Sequence, residues 1–93
     1  MENTAAVIGL NLIQQQIHEY IEMNFLFDGS ATPLDDTASL VASGALDQTG
    51  VLELALFIEE TYGVQVDSAD ATPENFDSVT AIAHYVYRLL ANA

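Results

Sequence analysis

Apolar side chains recur every three or four residues in three separate stretches of this chain, an interval that dictates helices packed along apolar stripes. In the first stretch Leu10, Ile13, Ile17, Tyr20 and Ile21 share a face, while Gln14, Gln15, His18, Glu19 and Glu22 fall between them. In the second, Val51, Leu54, Ala55, Ile58 and Tyr62 line up. In the third, Val79, Ile82, Ala83, Val86, Leu89 and Leu90 do so, leaving Thr80, His84 and Arg88 outward. The pattern predicts amphipathic helices over 10–24, from near Asp47 to Tyr62, and from Asp77 or Ser78 to Leu90. Only Val64-Gln65-Val66 alternates in the manner of a strand, and it is too brief to found a sheet.

The ends of these helices are marked as well. The carboxylate of Asp47 suits the free N–H groups of a first turn, and Gly63 after Tyr62 offers the left-handed conformation of a helix stop. Thr72-Pro73-Glu74-Asn75 reads as a cap followed by proline at the first helical position, which predicts one short turn before Phe76. Between the first two helices lies a connection containing Gly29, Ser30, Pro33, Asp35, Asp36 and Gly44 and running to Asp47. A connection of about twenty residues is long for a compact domain and needs pinning by its own side chains. Leu34, Leu40, Val41 and Leu46 are the candidate pins. The expected architecture is a single all-α domain over 1–93, a bundle of three main helices plus one short helix, with a long first loop and no internal repeat.

Ninety-three residues support one core and leave little to roof over a deep catalytic cleft, which favours a binding or carrier module over an enzyme. Fourteen Asp and Glu face one cationic side chain, Arg88, for a formal net charge of -13. Such a surface repels phosphate backbones and anionic lipid, so neither nucleic acid nor membrane is an expected partner. Proteins with Lys and Arg patches are, with encounters steered by charge and weakened by salt. Solubility alone accounts for a modest acidic excess, but not for the near absence of Lys and Arg. No apolar run is long enough for a bilayer, Met1 to Thr4 lacks the pattern of a secretory signal, and there is no cysteine. A cytoplasmic monomer is expected.

Histidine, serine and aspartate are present, yet no motif unites a nucleophile, a base and a stabiliser. His18 and His84 fall on outward faces of separate helices without a metal-ligand spacing and are expected to be solvated. Tyr85 and Tyr87 read as core and rim packing instead of pocket walls. Asp67-Ser68-Ala69-Asp70-Ala71-Thr72-Pro73 superficially looks like a calcium loop, but alanine occupies the third and fifth ligand positions and threonine the place of the required glycine.

The segment Gly44-Ala45-Leu46-Asp47-Gln48-Thr49-Gly50-Val51-Leu52-Glu53-Leu54 resembles the attachment segment of the acyl carrier protein and peptidyl carrier protein family, in which an Asp-Ser pair opens the second helix and a Glu-Leu pair follows. The likeness continues through Ala55 to Glu60, Tyr62-Gly63-Val64, and Thr72-Pro73-Glu74-Asn75-Phe76-Asp77-Ser78-Val79, and spans roughly 34–90. It is similar in particular to discrete carriers of polyketide, nonribosomal peptide or aminoacyl-transfer pathways. Membership would imply a shuttle with no chemistry of its own. A serine hydroxyl takes 4'-phosphopantetheine from coenzyme A, and the thiol of that arm holds an acyl or aminoacyl group for partner enzymes.

Here the attachment position holds Gln48. A carboxamide is not a competent nucleophile toward coenzyme A, so no cofactor is expected on this sequence, whereas 4'-phosphopantetheine and its transferase are implied if position 48 were serine. Thr49 has a hydroxyl, but one step along a helix rotates it by about 100 degrees and shifts it about 1.5 Å, so it is expected to stay unmodified. Two origins fit Gln48: a natural carrier that keeps its docking surface and has lost the arm, or an engineered block that holds a carrier in its apo form. The resemblance implies a docking surface of Asp47, Thr49, Leu52, Glu53, Leu56, Glu59 and Glu60 around this position. It faces basic-surfaced enzymes of the ligase, acyltransferase, ketosynthase or condensation type. Position alone favours Leu52 and Leu56 as core residues, but with the resemblance at least one is expected to be exposed. An acidic helical interaction or metal-sensing module unrelated to thioester transfer is the alternative function.

Overall fold

The first apolar stripe winds into α1, Leu10–Phe25, in a computed structural model that describes residues 9–25 and 34–92. The carbonyl of Gly9 accepts the N–H groups of Leu12 and Ile13, each at 3.1 Å, and so starts the helix. Helix α2 spans Gln48–Tyr62, a 3-10 turn covers Ser68–Asp70, the short α3 spans Pro73–Phe76, and α4 spans Val79–Ala91. The architecture is thus all-helical, a small bundle with three substantial helices. Among the described residues there is no strand, and Val64-Gln65-Val66 is irregular backbone.

The three stripes meet in one core. Helices α1 and α4 pack most closely, placing Ile13, Ile17 and Ile21 against Val79, Ile82, Ala83, Val86 and Leu90, all sealed from solvent. Helix α2 contributes Leu54, Ile58 and Tyr62. Burying each large aliphatic side chain stabilises the fold by about 1.5–3 kcal/mol before chain entropy is counted. Leu10, Val51 and Leu89 are partly buried flanks of the same core. An aromatic ladder ties α1 to α2: Tyr20 stacks on Phe57 with ring centroids 3.8 Å apart, Phe25 and Tyr62 meet this pair edge-on, and the Tyr62 hydroxyl donates to Gln16 Oε1 at 2.7 Å.

The connection into α2 is pinned by Leu40 and Leu46, both buried, with Leu34 packed partly against them. Val41, expected as a fourth pin, points to solvent. The reason lies across the molecule. The Asp77 carbonyl accepts the Leu40 N–H at 2.6 Å, and the Asp77 carboxylate accepts the Ser39 hydroxyl at 2.8 Å and the Val41 N–H at 3.1 Å. Holding that backbone turns Leu40 inward and leaves Val41 outside. Asp77 is therefore committed to the connection, and it is Ser78 that caps α4, its hydroxyl accepting the Ala81 N–H at 3.0 Å. Thr72, expected to cap α3, makes no side-chain cap; its carbonyl instead accepts the N–H groups of Asn75 and Phe76. Gly44 takes the positive φ of 80° that its turn requires. Gly29, Ser30 and Pro33, read as turn formers, lie outside the described residues, as do Met1 to Thr4.

Two tyrosines set an alkaline limit on this fold. Burial pushes the Tyr62 phenol up to about 12. The Tyr85 phenol is raised by burial, by its hydrogen bond to Asp70 and by the nearby charges of Asp70 and Asp67, partly offset by Arg88. Both phenols lose protons more readily in the unfolded chain, near the ordinary value of about 10. Their contribution to stability is thus complete below about pH 10 and is lost as pH rises through the folded values. Tyrosinate absorbance and far-ultraviolet circular dichroism, followed together on raising the pH, should show unfolding coincide with ionisation of the buried phenols. Tyr62→Phe should move that unfolding to higher pH relative to its own neutral-pH stability.

Candidate functional site

The candidate site is the entry of α2 and the outer flank that follows it. Asp47 is extended, with φ -109° and ψ -174°, and its Oδ1 accepts the Gly50 N–H at 2.7 Å, which caps the first turn as expected. Gln48 is the first helical residue and is exposed, as is Thr49. Gly50 is buried so tightly that a β carbon there would sit 2.9 Å from Leu46 Cδ1 and 3.0 Å from Phe25 Cε1. The missing side chain lets the first turn settle onto the connection and α1, which presents Gln48 and Thr49 to solvent.

Beyond this turn the helix divides sharply by face. Leu54 is fully buried, whereas Leu52 and Leu56 are 56% and 59% exposed, so both leucines of the outer flank are free of the core. Glu53 and Glu60 are exposed beside them. Such an arrangement can make an apolar contact rimmed by negative charge, in which the acids steer approach and the leucines supply contact area. Glu59 differs from the other acids expected here. It is half-buried, and its Oε2 accepts the Val66 N–H at 2.8 Å, while its carbonyl accepts the N–H of Gly63, which takes φ 68° at the helix stop. Glu59 therefore holds the exit of α2.

The donor set at position 48 does not fit a covalently attached phosphopantetheine. Gln48 offers a carboxamide in place of a hydroxyl. Among the described residues no group of three or more His, Cys, Asp and Glu is placed to hold a metal ion, and no helix is long and apolar enough to cross a membrane. The acids of the 67–73 segment are occupied structurally: Asp67 Oδ1 accepts the Ala69 N–H at 2.9 Å and Asp70 Oδ2 accepts the Tyr85 hydroxyl at 2.9 Å. Tyr85 is thus a core residue with a satisfied hydroxyl, and Tyr87 sits at the rim. His84 is exposed, as its outward position on α4 predicts.

His18 corrects the expectation of a solvated histidine. Its Nδ1 lies 2.5 Å from Asp36 Oδ1 and its Nε2 lies 3.3 Å from Glu22 Oε1. The second oxygen of Asp36 accepts Gln14 Nε2 at 2.9 Å, and the Asp36 carbonyl accepts the Thr80 N–H at 3.0 Å. The Asp36 hydrogen bond holds the His18 imidazole above its ordinary value against the opposing effect of burial, with the charges of Asp36 and Glu22 adding to the rise. The spacing Gln14, His18, Glu22 was legible as one helical edge, but its partner in the connection was not. In comparisons with known proteins, no family model and no curated protein matches this sequence.

Proposed function

We propose that this chain is a carrier-type docking module, of the acyl or peptidyl carrier kind, that presents the α2 face to a basic-surfaced biosynthetic enzyme and carries no prosthetic arm in its present sequence. The observation that carries this reading is the exposure of Leu52 and Leu56, flanked by Glu53 and Glu60, on the helix that opens with Asp47 and the exposed Gln48. Two solvent-facing leucines one turn apart offer a partner apolar area to cover. A net charge of -13 selects a cationic partner for that contact. The module acts as a cytoplasmic monomer, either as a natural carrier that has lost its arm or as a blocked form of a working one.

Incubation with coenzyme A and a promiscuous phosphopantetheinyl transferase tests the reading by intact mass. The chain as it stands should gain nothing, and Gln48→Ser should gain one arm. If Gln48→Ser stays unmodified, the α2 entry is not a carrier attachment segment. An arm on the unaltered chain would place the acceptor at Thr49 or another hydroxyl and remove the docking-only role.

A further inference from the structure

We propose that His18, Asp36 and Glu22 form a proton-operated latch that fixes the α1–α2 connection onto the face shared by α1 and α4. Three parts of the chain meet at this cluster. Helix α1 supplies Gln14, His18 and Glu22 from successive turns, the connection supplies Asp36, and α4 supplies Thr80. Asp36 is the hub. Its two carboxylate oxygens take His18 and Gln14, its carbonyl takes the Thr80 N–H, and Gln14 Nε2 also reaches Thr80 Oγ1 at 3.3 Å.

The charge at the hub depends on one proton. Among the described residues His18 is faced by Asp36 from the connection and by Glu22 from its own helix, while α4 presents only the uncharged Thr80 at this point. The neighbouring Asp35 carboxylate is occupied by the Thr37 N–H and hydroxyl at 2.9 and 2.8 Å. Each ring nitrogen of His18 has a carboxylate partner, and only the imidazolium can donate to both at once. Losing the proton removes one of the two donors and the charge that both carboxylates attract. Two acids then remain side by side around a neutral ring.

The two carboxylates make the His18 imidazole bind its proton more tightly in the latched arrangement than in a released one. The latch is complete below the ordinary imidazole value of 6.5 and is lost as pH rises through the higher folded value. The segment it holds runs from Asp36 through the buried Leu40 and Leu46 to the Asp47 cap, so release loosens the entry of α2 as pH rises through the folded value. This inference does not depend on the carrier reading.

Amide hydrogen exchange by NMR on the whole chain, corrected for intrinsic rates, tests it. From below pH 6.5 to above the His18 midpoint read from its imidazole shifts, protection of the Thr80 and Leu46 amides should fall about threefold to tenfold relative to Ile58 in α2. In His18→Gln, which keeps a donor to Asp36 without the charge, protection should be low and flat across that range. Asp36→Asn should lower the His18 titration midpoint read from its imidazole shifts. A protection ratio in the unaltered chain that ignores pH, a pH dependence that survives His18→Gln, or a midpoint unmoved by Asp36→Asn would each overturn the latch.

Discussion

Leu54→Ala should lower folding stability by about 2–5 kcal/mol, whereas Leu56→Ala, two residues along the same helix, should change it by no more than about 0.5 kcal/mol. Leu54 is fully buried in the core shared with α1 and α4, and its truncation leaves a cavity that the surrounding side chains only partly fill. Leu56 is 59% exposed, so truncating it removes little apolar contact and substitutes a slightly better helix former. Against a total stability of about 5–15 kcal/mol for a domain of this kind, the first change should bring the melting temperature down by about 10 °C or more. Urea unfolding of the two variants beside the parent chain is the measurement. Equal costs at the two positions would return Leu56 to the core and remove it from any docking face.

Phe76→Ala should cost about 3–5 kcal/mol and should also disturb a part of the chain distant from it in sequence. Its ring is fully buried, 5.6 Å from that of Tyr85, and it anchors α3, a helix of four residues that is far too short to persist unaided. The next residue, Asp77, holds the backbone of Leu40 and Val41 and the hydroxyl of Ser39. Removing the ring frees α3 to shift, and Asp77 shifts with it. Thermal unfolding should report the stability loss, and backbone amide shifts should change at 39–41 as well as at 72–79. Changes confined to the second group would mean that Asp77 keeps its position without the Phe76 anchor.

The helices and most of their ends were legible because they are set by contacts within about four residues. The apolar interval marks Ile13, Ile17, Ile21, Leu54, Ile58, Ile82 and Val86 as inward. Asp47 and Gly63 bound α2 through groups on their own turn. The same geometry separates Leu54 from Leu52 and Leu56, so the divided faces of α2 follow from helical rotation alone once the core is known to lie under Leu54. What the interval does not encode is which polar side chain will be spent on a distant backbone. Asp77 and Ser78 are equally good caps on paper, and the choice fell to Ser78 because Asp77 is engaged by Ser39, 38 residues away. His18 looks solvated until Asp36, 18 residues on, closes over it, and Gln14 meets Thr80 across 66 residues. Val41 departs from its expected place as a pin for the same reason, since its N–H and not its side chain is what the fold holds. Contacts within a turn or two are enough to specify the periodic, short-range order of this protein. The tertiary structure decided where the long connection lies and which acids are structural, because desolvated backbone groups must find partners wherever the packed helices bring a carboxylate within reach.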